Sequence, residues 1–550
     1  MSDATSAPLD PYDVPPSFVQ RHAAYVGAAV VFVLSVALAV LAFPPFRAPE
    51  LAYAMLVPGT YWAYTKPRLK LFAWTMFAAQ AVAWTIILGW LHHVTWFGLF
   101  LLGPFVGAWI GTWYLAAWWT MPRMLGQPTI VRLLALLALA SAWVFIEWTR
   151  TWLLGGFPWL PLAASQWERA SILQIAAYTG AYGTSFALVA ANIGFAAYAH
   201  RLFREGAKGL NKRSQEFFLA LFILIVCLTI HVQDTFNRGR YVEPFARVAI
   251  VQPYIPQDIK WDPAKAPEIF GALENTTLAA ALTKPDLLLW PEAVTPFPVR
   301  GNADMKSFVE SIVRRAGSPL LLGSTAVERS GQPDERWYNG AFLVTPTGGV
   351  QADYYAKRQL VPFGEFVPLR PVLGWLQKVV PVGADDFSRG LDSSPLLVPV
   401  KDKSAIFGPL ICYEDVFPEL ARNSALAGSD VLVVLTNNGW FGEGGAAVQH
   451  AAHSVLRAVE TRRPVLRCGN GGWSGWIDEY GNVKAKLTND AGSIYFRGSQ
   501  VLSVTRDARL VGKQSFYVQH GDWFVLVCAA VWLLGFGVLK NAPVQPKLAE

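Results

Sequence analysis

Gly408-Pro409-Leu410-Ile411-Cys412-Tyr413-Glu414 puts a cysteine at the end of an apolar run, with a carboxylate two residues later. Two islands lie upstream: Leu287-Leu288-Leu289-Trp290-Pro291-Glu292, and Tyr355-Ala356-Lys357-Arg358-Gln359-Leu360-Val361-Pro362-Phe363-Gly364-Glu365. In chain order they supply Glu292, Lys357 and Cys412, each beside a strand-like hydrophobic segment. Open α/β sheets commonly hold reactive side chains where a strand ends and the chain turns, and Glu292 and Cys412 both stand at such a point. A cysteine attacks a carbonyl, a glutamate moves protons and a lysine holds an oxyanion, so the trio suits acyl transfer.

Around these islands, from about 245 to 510, short apolar runs alternate with helix-like segments. Strand-like runs stand at 246–253, 287–290, 320–323, 341–345, 405–412, 431–436 and 464–468, and helix-like stretches at 304–316, 418–427 and 446–461. This alternation predicts an α/β layered domain of roughly 265 residues. No internal repeat or low-complexity linker sets it apart from its flanks.

The rest of the chain is of another kind. Of 550 residues, 53% are hydrophobic and only 15% charged, against about 25% charged in soluble domains. A bilayer crossing needs about 20 apolar residues. Candidates lie at roughly 24–43, 50–65, 71–91, 95–119, 131–149, 174–199, 216–233 and 521–539, about eight spans in all. Basic residues cluster after alternate spans: Lys66, Arg68 and Lys70; Arg123 and Arg132; Arg201, Arg204, Lys208, Lys212 and Arg213; Lys540 and Lys547. Cationic loops stay in the cytoplasm, so both termini are expected inside and the long segment between the seventh and eighth spans outside. The net charge of +7 reads as topology, since no basic face with interleaved aromatics marks a nucleic-acid partner. The first 22 residues hold three Asp and one Arg, with no small-residue cleavage site after the first span, which reads as a retained anchor.

The four cysteines are Cys227, Cys412, Cys468 and Cys528. Two fall in expected spans, so no disulfide framework is indicated; a Cys412–Cys468 bridge would block the expected nucleophile. His450 and His453, three apart on an expected helix, lack a third ligand at suitable spacing, and a structural or solvated role is expected instead of metal binding. No phosphate-cradling glycine loop or dinucleotide fingerprint occurs, and no cofactor is expected.

The order Trp-Pro-Glu, Lys-x-x-Leu-Val-Pro-Phe-Gly-Glu, Ile-Cys-Tyr-Glu resembles the nitrilase superfamily, which uses a Glu-Lys-Cys triad on an α-β-β-α sandwich. More narrowly it resembles the bacterial apolipoprotein N-acyltransferases, in which that domain lies between membrane helices. The narrower likeness adds Val251-Gln252-Pro253-Tyr254-Ile255-Pro256-Gln257-Asp258-Ile259-Lys260-Trp261, Gly364-Glu365-Phe366-Val367-Pro368, Asn437-Asn438-Gly439-Trp440-Phe441-Gly442, Gln449-His450 and, in the membrane part, Gly156-Phe157-Pro158-Trp159-Leu160. Two departures stand out. Asn438-Gly439 replaces the family's usual Asp-Ala, and Asn470-Gly471-Gly472-Trp473-Ser474-Gly475 replaces a plain Asn-Gly-Ile/Thr run.

The resemblance implies a membrane helical bundle joined to an α/β nitrilase-like sandwich. Residues 1–243 would be the transmembrane domain of about seven helices, 244–510 the periplasmic catalytic domain, and 511–550 a final helix with a cytoplasmic tail. It implies an inner-membrane enzyme that takes an acyl group from a phospholipid donor and passes it to diacylglyceryl-modified apolipoproteins. Cys412 would carry the acyl group as a thioester, Glu292 would relay protons, and Lys357 would lower the thiol pKa and hold the oxyanion. Glu365 and Glu414 are expected to orient Lys357 and the thiol, Tyr413 to pack beside Cys412 or shape the site, and Trp261 to contact substrate. The apolar stretch 370–381 is expected to dip into the outer leaflet as a lid. A membrane-tethered amidase or nitrile hydrolase would use the same triad with water as acceptor, and a silent membrane scaffold would use none of it. Eight spans favour a lipid donor over a soluble amide.

Overall fold

The computed structural model describes residues 22–205, 213–260, 262–367, 370, 386–401 and 403–542. Among these, six helices are long and apolar enough to cross a membrane: α1 (Ala23–Ala42), α2 (Leu69–Ile87), α3 (Trp96–Met124), α4 (Thr129–Thr149), α5 (Ala181–Phe203) and α6 (Gln215–Thr235). The stretch expected at 50–65 is helical but broken, a 3-10 turn Pro49–Tyr53 followed by a short helix Val57–Tyr64. Pro49 and Pro58 each remove a backbone donor, which explains the interruption. The stretch expected at 174–199 starts late, because Gly180 takes a left-handed φ of 68° and ends the preceding turn. The last expected span is the 17-residue helix Trp523–Leu539. The α2–α3 contact is unusually close: a Cβ at Gly103, Gly107 or Gly111 would stand 2.4–2.7 Å from Thr85, Gln80 or Phe77. Small residues at this spacing let membrane helices approach by their backbones.

Two sheets make the extramembrane fold. Strands β1 (Val242–Gln252), β2 (Leu287–Trp290), β3 (Leu320–Glu328), β4 (Arg336–Thr345) and β5 (Gly349–Ala356) form the first. Strands β6 (Leu396–Val400), β7 (Lys403–Ile411), β8 (Val431–Thr436), β9 (Val465–Gly469), β10 (Gly475–Ile477) and β11 (Val483–Lys486) form the second. Strand β12 (Gly498–Asp507) returns to pair antiparallel with β1. The centre of each sheet is parallel: β1-β2-β3 in one and β7-β8-β9 in the other. Parallel strands covered on both faces read as unbroken apolar runs, as Leu287–Trp290 and Val431–Thr436 do.

The sheets face each other through Val248, Ile250, Leu287, Leu289 and Leu321 on one side and Phe407, Ile411, Val431, Val433 and Leu466 on the other. The outer face of the first sheet is covered by α7 (Ala266–Ala281) and α8 (Ala303–Ala316). The outer face of the second is covered by α9 (Pro418–Leu426) and α10 (Ala446–Thr461), whose apolar cluster runs on without a break into the membrane helices. Of the 16 residues of α10, 15 are buried and Val448 is half-buried. Several of its polar side chains find partners in the membrane region: Gln449 Oε1 accepts from the Trp90 and Trp159 indoles at 2.9 Å each, and its Nε2 donates to the carbonyls of Pro44 and Ile87. His453 Nε2 accepts from Leu160 N at 3.1 Å, and Glu460 from Ala181 N at 2.8 Å.

Candidate active site

Four strand ends, two from each sheet, converge. Glu292 lies two residues past β2, Lys357 one past β5, Cys412 one past β7, and Asn437 one past β8. Gly323 on β3 admits the first turn, since a Cβ there would lie 2.5 Å from Pro291 O and 2.6 Å from Glu292 Cα. Cys412 takes a left-handed φ of 52°, a conformation that costs a non-glycine residue about 1–3 kcal/mol and that surrounding structure must hold.

Glu292 is 7% exposed, and both its oxygens accept hydrogen bonds, with one acceptor position on Oε2 left over among the described residues. Oε1 accepts from Lys357 Nζ at 3.2 Å and from Asn339 Nδ2 at 2.9 Å, and Oε2 from the Asn437 backbone N–H at 3.0 Å. Lys357 Nζ also donates to Glu365 at 2.8 Å, and Asn339 bridges to the same carboxylate at 3.1 Å. Burial alone would raise the Glu292 pKa, but the cations Lys357 and Lys260 outweigh it and hold the group below the usual glutamate range. Burial works against the Lys357 ammonium too, yet Glu292 and Glu365 keep its pKa above the ordinary lysine value. A carboxylate and an ammonium are therefore charged side by side, with little water between them.

The thiol differs from the sequence expectation. Burial, and after it the neighbouring Glu292 charge, push Cys412 up to about 12, although Lys357 does pull its pKa the other way. The environment therefore favours the protonated thiol near neutral pH, and a nearby base would be needed to draw the proton off.

Glu414, two residues past the cysteine, ties the lysine loop to the cysteine turn. It accepts from Arg358 N at 2.6 Å, Gln359 N at 3.1 Å, Ile411 N at 2.7 Å and the Tyr355 hydroxyl at 2.7 Å. Glu365 closes its own loop by accepting from Val361 N at 2.9 Å. Tyr413 turns away from Lys357, donating to Gly156 O at 3.3 Å and stacking near Phe157.

Comparison with known proteins adds family to geometry. Residues 35–194 match the family described as apolipoprotein N-acyltransferase N-terminal domain, and residues 247–510 that described as carbon-nitrogen hydrolase. An apolipoprotein N-acyltransferase of Geobacter metallireducens is 34% identical over 408 residues, 72% of each chain. Its namesake in Shewanella oneidensis is 30% identical over 417 residues, 73% of each chain. The chain belongs to the apolipoprotein N-acyltransferase family. It is an acyltransferase of the nitrilase superfamily with a multi-pass membrane region. Among solved structures it is similar to an amidase of the nitrilase superfamily from Nesterenkonia AN1, with 19% identity, a TM-score of 0.36, and coverage of 50% of this chain and 94% of that one.

Of the residues singled out from the sequence, Glu292, Lys357 and Glu365 meet in one hydrogen-bonded group, with the Cys412 thiol within their electrostatic reach. Glu414 braces it, while the Tyr413 side chain is directed to Gly156 and Phe157. Trp261 and residues 371–381 of the expected lid lie outside the described residues; Arg370 pairs with Asp386 at 3.4 Å. All four cysteines are free, and Cys468 lies between the sheets, its Sγ 3.4 Å from Leu289 O. The two departures are both buried beside the site: Asn438 contacts Thr436 and His450, while Asn470 holds Ile255 through both amide atoms and reaches Asn437 at 3.2 Å.

Sequence reasoning passed over Asn339 and Lys260. Asn339 carried no signal, as one polar residue inside an aromatic strand. Lys260 stood in a quoted motif beside Trp261; it is 2% exposed, and burial draws its pKa down to about 8 against the pull of Glu292 and Cys412.

Proposed function

We propose that the chain transfers a fatty acyl group from a phospholipid, through a thioester on Cys412, to the N-terminal amine of a diacylglyceryl-modified cysteine on apolipoproteins. One observation carries this reading: a charged Glu292–Lys357 pair held by strand ends beside a protonated, buried thiol, in a chain of this family.

In the first half-reaction Glu292 takes the Cys412 proton as sulfur attacks the ester carbonyl. Lys357 balances the charge on the carbonyl oxygen. Collapse breaks the C–O bond, and the lysophospholipid oxygen leaves with the proton from Glu292. In the second, the lipoprotein amine attacks the thioester, its proton passes to Glu292, and the returning Cys412 sulfur recovers it. An amide has formed and the enzyme is unchanged. Asn339 and Glu365 hold the pair in place through both steps.

Residues 1–243 then form the membrane domain, 244–510 the catalytic domain, and 511–550 the last helix and tail. The cationic-loop asymmetry supports an inner-membrane orientation with residues 244–510 facing the periplasm. The test is direct. Purified enzyme incubated with phospholipid should gain the mass of one acyl chain on Cys412 and lose it when an apolipoprotein acceptor is added. Cys412→Ser should gain none. Loss of the adduct to water at the same rate without acceptor would favour a hydrolase; an adduct on another residue would reject the mechanism.

A further inference from the structure

The left-handed turn at Cys412 is held from below by a buried polar chain that the mechanism above does not use. His450, on α10, approaches the Cys412 carbonyl oxygen with Nε2 at 3.1 Å and Asp415 Oδ1 with the same nitrogen at 2.7 Å. Both partners are acceptors, so Nε2 carries the proton and is shared between them. Asp415 Oδ2 in turn accepts from the Ser454 hydroxyl and from Arg467 Nη1. On its other edge, His450 Nδ1 faces the Asn438 side-chain amide at 3.2 Å; with the proton on Nε2 this nitrogen accepts, and the Asn438 Nδ2–H, otherwise without a partner among the described residues, is the donor it requires. His450 and Arg467 are 1% and 0% exposed, and Asp415 and Ser454 are fully buried.

A charged network so deep carries a large desolvation cost and gives little net stability over apolar packing. A buried polar network nevertheless fixes geometry through the bonds it does make, and here those bonds centre on Asp415 and His450, while Arg467 Nε and Nη2 are without a partner among the described residues. Here the end of the network is the main chain of the residue proposed to make the thioester, held in a backbone conformation it would not adopt alone. The supporting helix is itself fixed: Gln449, one residue before His450, makes four hydrogen bonds to the membrane region.

We infer that His450 is a positioning residue for the nucleophile. Its shared Nε2–H, anchored by Asp415, holds the Cys412 carbonyl and so sets the turn that aims the thiol at Glu292 and Lys357. The inference rests on the proposed thioester chemistry and names what the chemistry requires of the backbone: a donor at the Nε2 position, not bulk alone. Misplacing a reacting atom by about 1 Å costs on the order of 10²-fold in rate.

Two polar replacements separate the donor from the volume. Gln has an amide N–H that reaches the Nε2 position, while that of Asn stops near Nδ1. In full-length enzyme in detergent, His450→Asn should lower the maximal rate of Cys412 acylation by about 10- to 100-fold, with the half-saturating phospholipid concentration unchanged. His450→Gln should recover most of that rate. Equal loss in both variants, or a wild-type rate in His450→Asn, would overturn the inference. If His450→Asn does not fold, Asp415→Asn keeps the volume while weakening the anchor, and should show the same fall in maximal rate; a wild-type rate there overturns it as well. Should wild-type enzyme form no acyl adduct, the thioester reading fails. Iodoacetamide alkylation of Cys412, which needs no lipid, then decides the positioning question, with faster labelling in His450→Gln than in His450→Asn expected and equal labelling refuting it.

Discussion

Replacing Glu292 with Gln tests the division of labour at the site, because two consequences run in opposite directions. With its pKa pushed up to about 12 by burial and by Glu292, the Cys412 thiol is overwhelmingly protonated near neutral pH. Attack by pre-formed thiolate is therefore starved, and the proton must leave to a base during the step. Glu292 is the base we propose, and on that reading removing it should slow acylation by phospholipid by about 10²–10⁴-fold, the usual contribution of general base catalysis. The same carboxylate is one of the causes that keep the thiol pKa high. Without its charge the thiol should ionise more readily, so the pH profile for alkylation of Cys412 by iodoacetamide should shift to lower pH. The amide introduced by Glu292→Gln would also set an N–H against the Asn437 backbone N–H that now donates to Oε2, an unmet buried donor costing about 1–3 kcal/mol. The assay pairs the acyl-adduct rate by intact mass with the alkylation profile of the same preparation. General damage would slow both reactions. Slower acylation with an acid-shifted alkylation profile is the expected signature; acylation at the wild-type rate, or a profile moved to higher pH, refutes the assignment.

Lys357→Ala should slow adduct formation by about 10²–10³-fold through the lost oxyanion contact. It should also move the acid limb of the pH–rate profile upward, because burial then raises the Glu292 pKa without its main opposing cation; an unmoved limb would remove Lys357 from the electrostatic account. Glu292 and Asp415 both sit below their ordinary ranges in the folded protein, although burial works against each: Lys357 and Lys260 lower the first, His450 and Arg467 the second. Depressed carboxylate pKa values give stability that is present above the unfolded values near pH 4 and lost as pH falls through the folded ones. The unfolding temperature should therefore drop below about pH 4, and less so in Asp415→Asn; equal acid sensitivity in that variant would contradict the network's charge state. Single cysteines introduced at exposed positions such as Leu397 or Val483 should be labelled by an impermeant reagent from the periplasmic side of intact cells. Labelling only after the cytoplasm is opened would invert the topology.

What the sequence disclosed follows from which physical signals are local. Leu287–Trp290 and Val431–Thr436 were legible to the residue because a strand buried on both faces must be an unbroken apolar run. Helix Ala446–Thr461 was found to its ends for another reason: Gly444-Gly445 before it and Arg462-Arg463-Pro464 after it punctuate the chain. β6 escapes the apolar pattern because its alternate residues are exposed, and β5 because most of it is only half-buried and Ala352 and Asp353 are exposed. In the site, Glu292, Lys357 and Cys412 announced themselves by standing next to apolar runs. The raised thiol pKa did not, because it depends on burial and on a charge 120 residues away in the chain. Asp415, Ser454 and Arg467 have the same character, each unremarkable where it stands; His450 stands out in the sequence and a structural role is expected for it, but its partners follow only from the packing of α10 against β7 and β9.

The burial of α10 explains why this site cannot be considered apart from its membrane region. In the first sheet the outer helices α7 and α8 are amphipathic, with polar faces left to solvent. In the second sheet that outer layer has no solvent face along α10, and the helix that would carry one is polar toward protein instead. Polar groups so enclosed must find partners, and Gln449, His453 and Glu460 find theirs on Trp90, Trp159, Leu160 and Ala181, all in the membrane part. Removing the membrane domain would strand these groups and expose the apolar face that continues into it. The same helix bears His450, which holds the Cys412 carbonyl. The proposed nucleophile is thus joined to the membrane region by a few directed bonds along one helix.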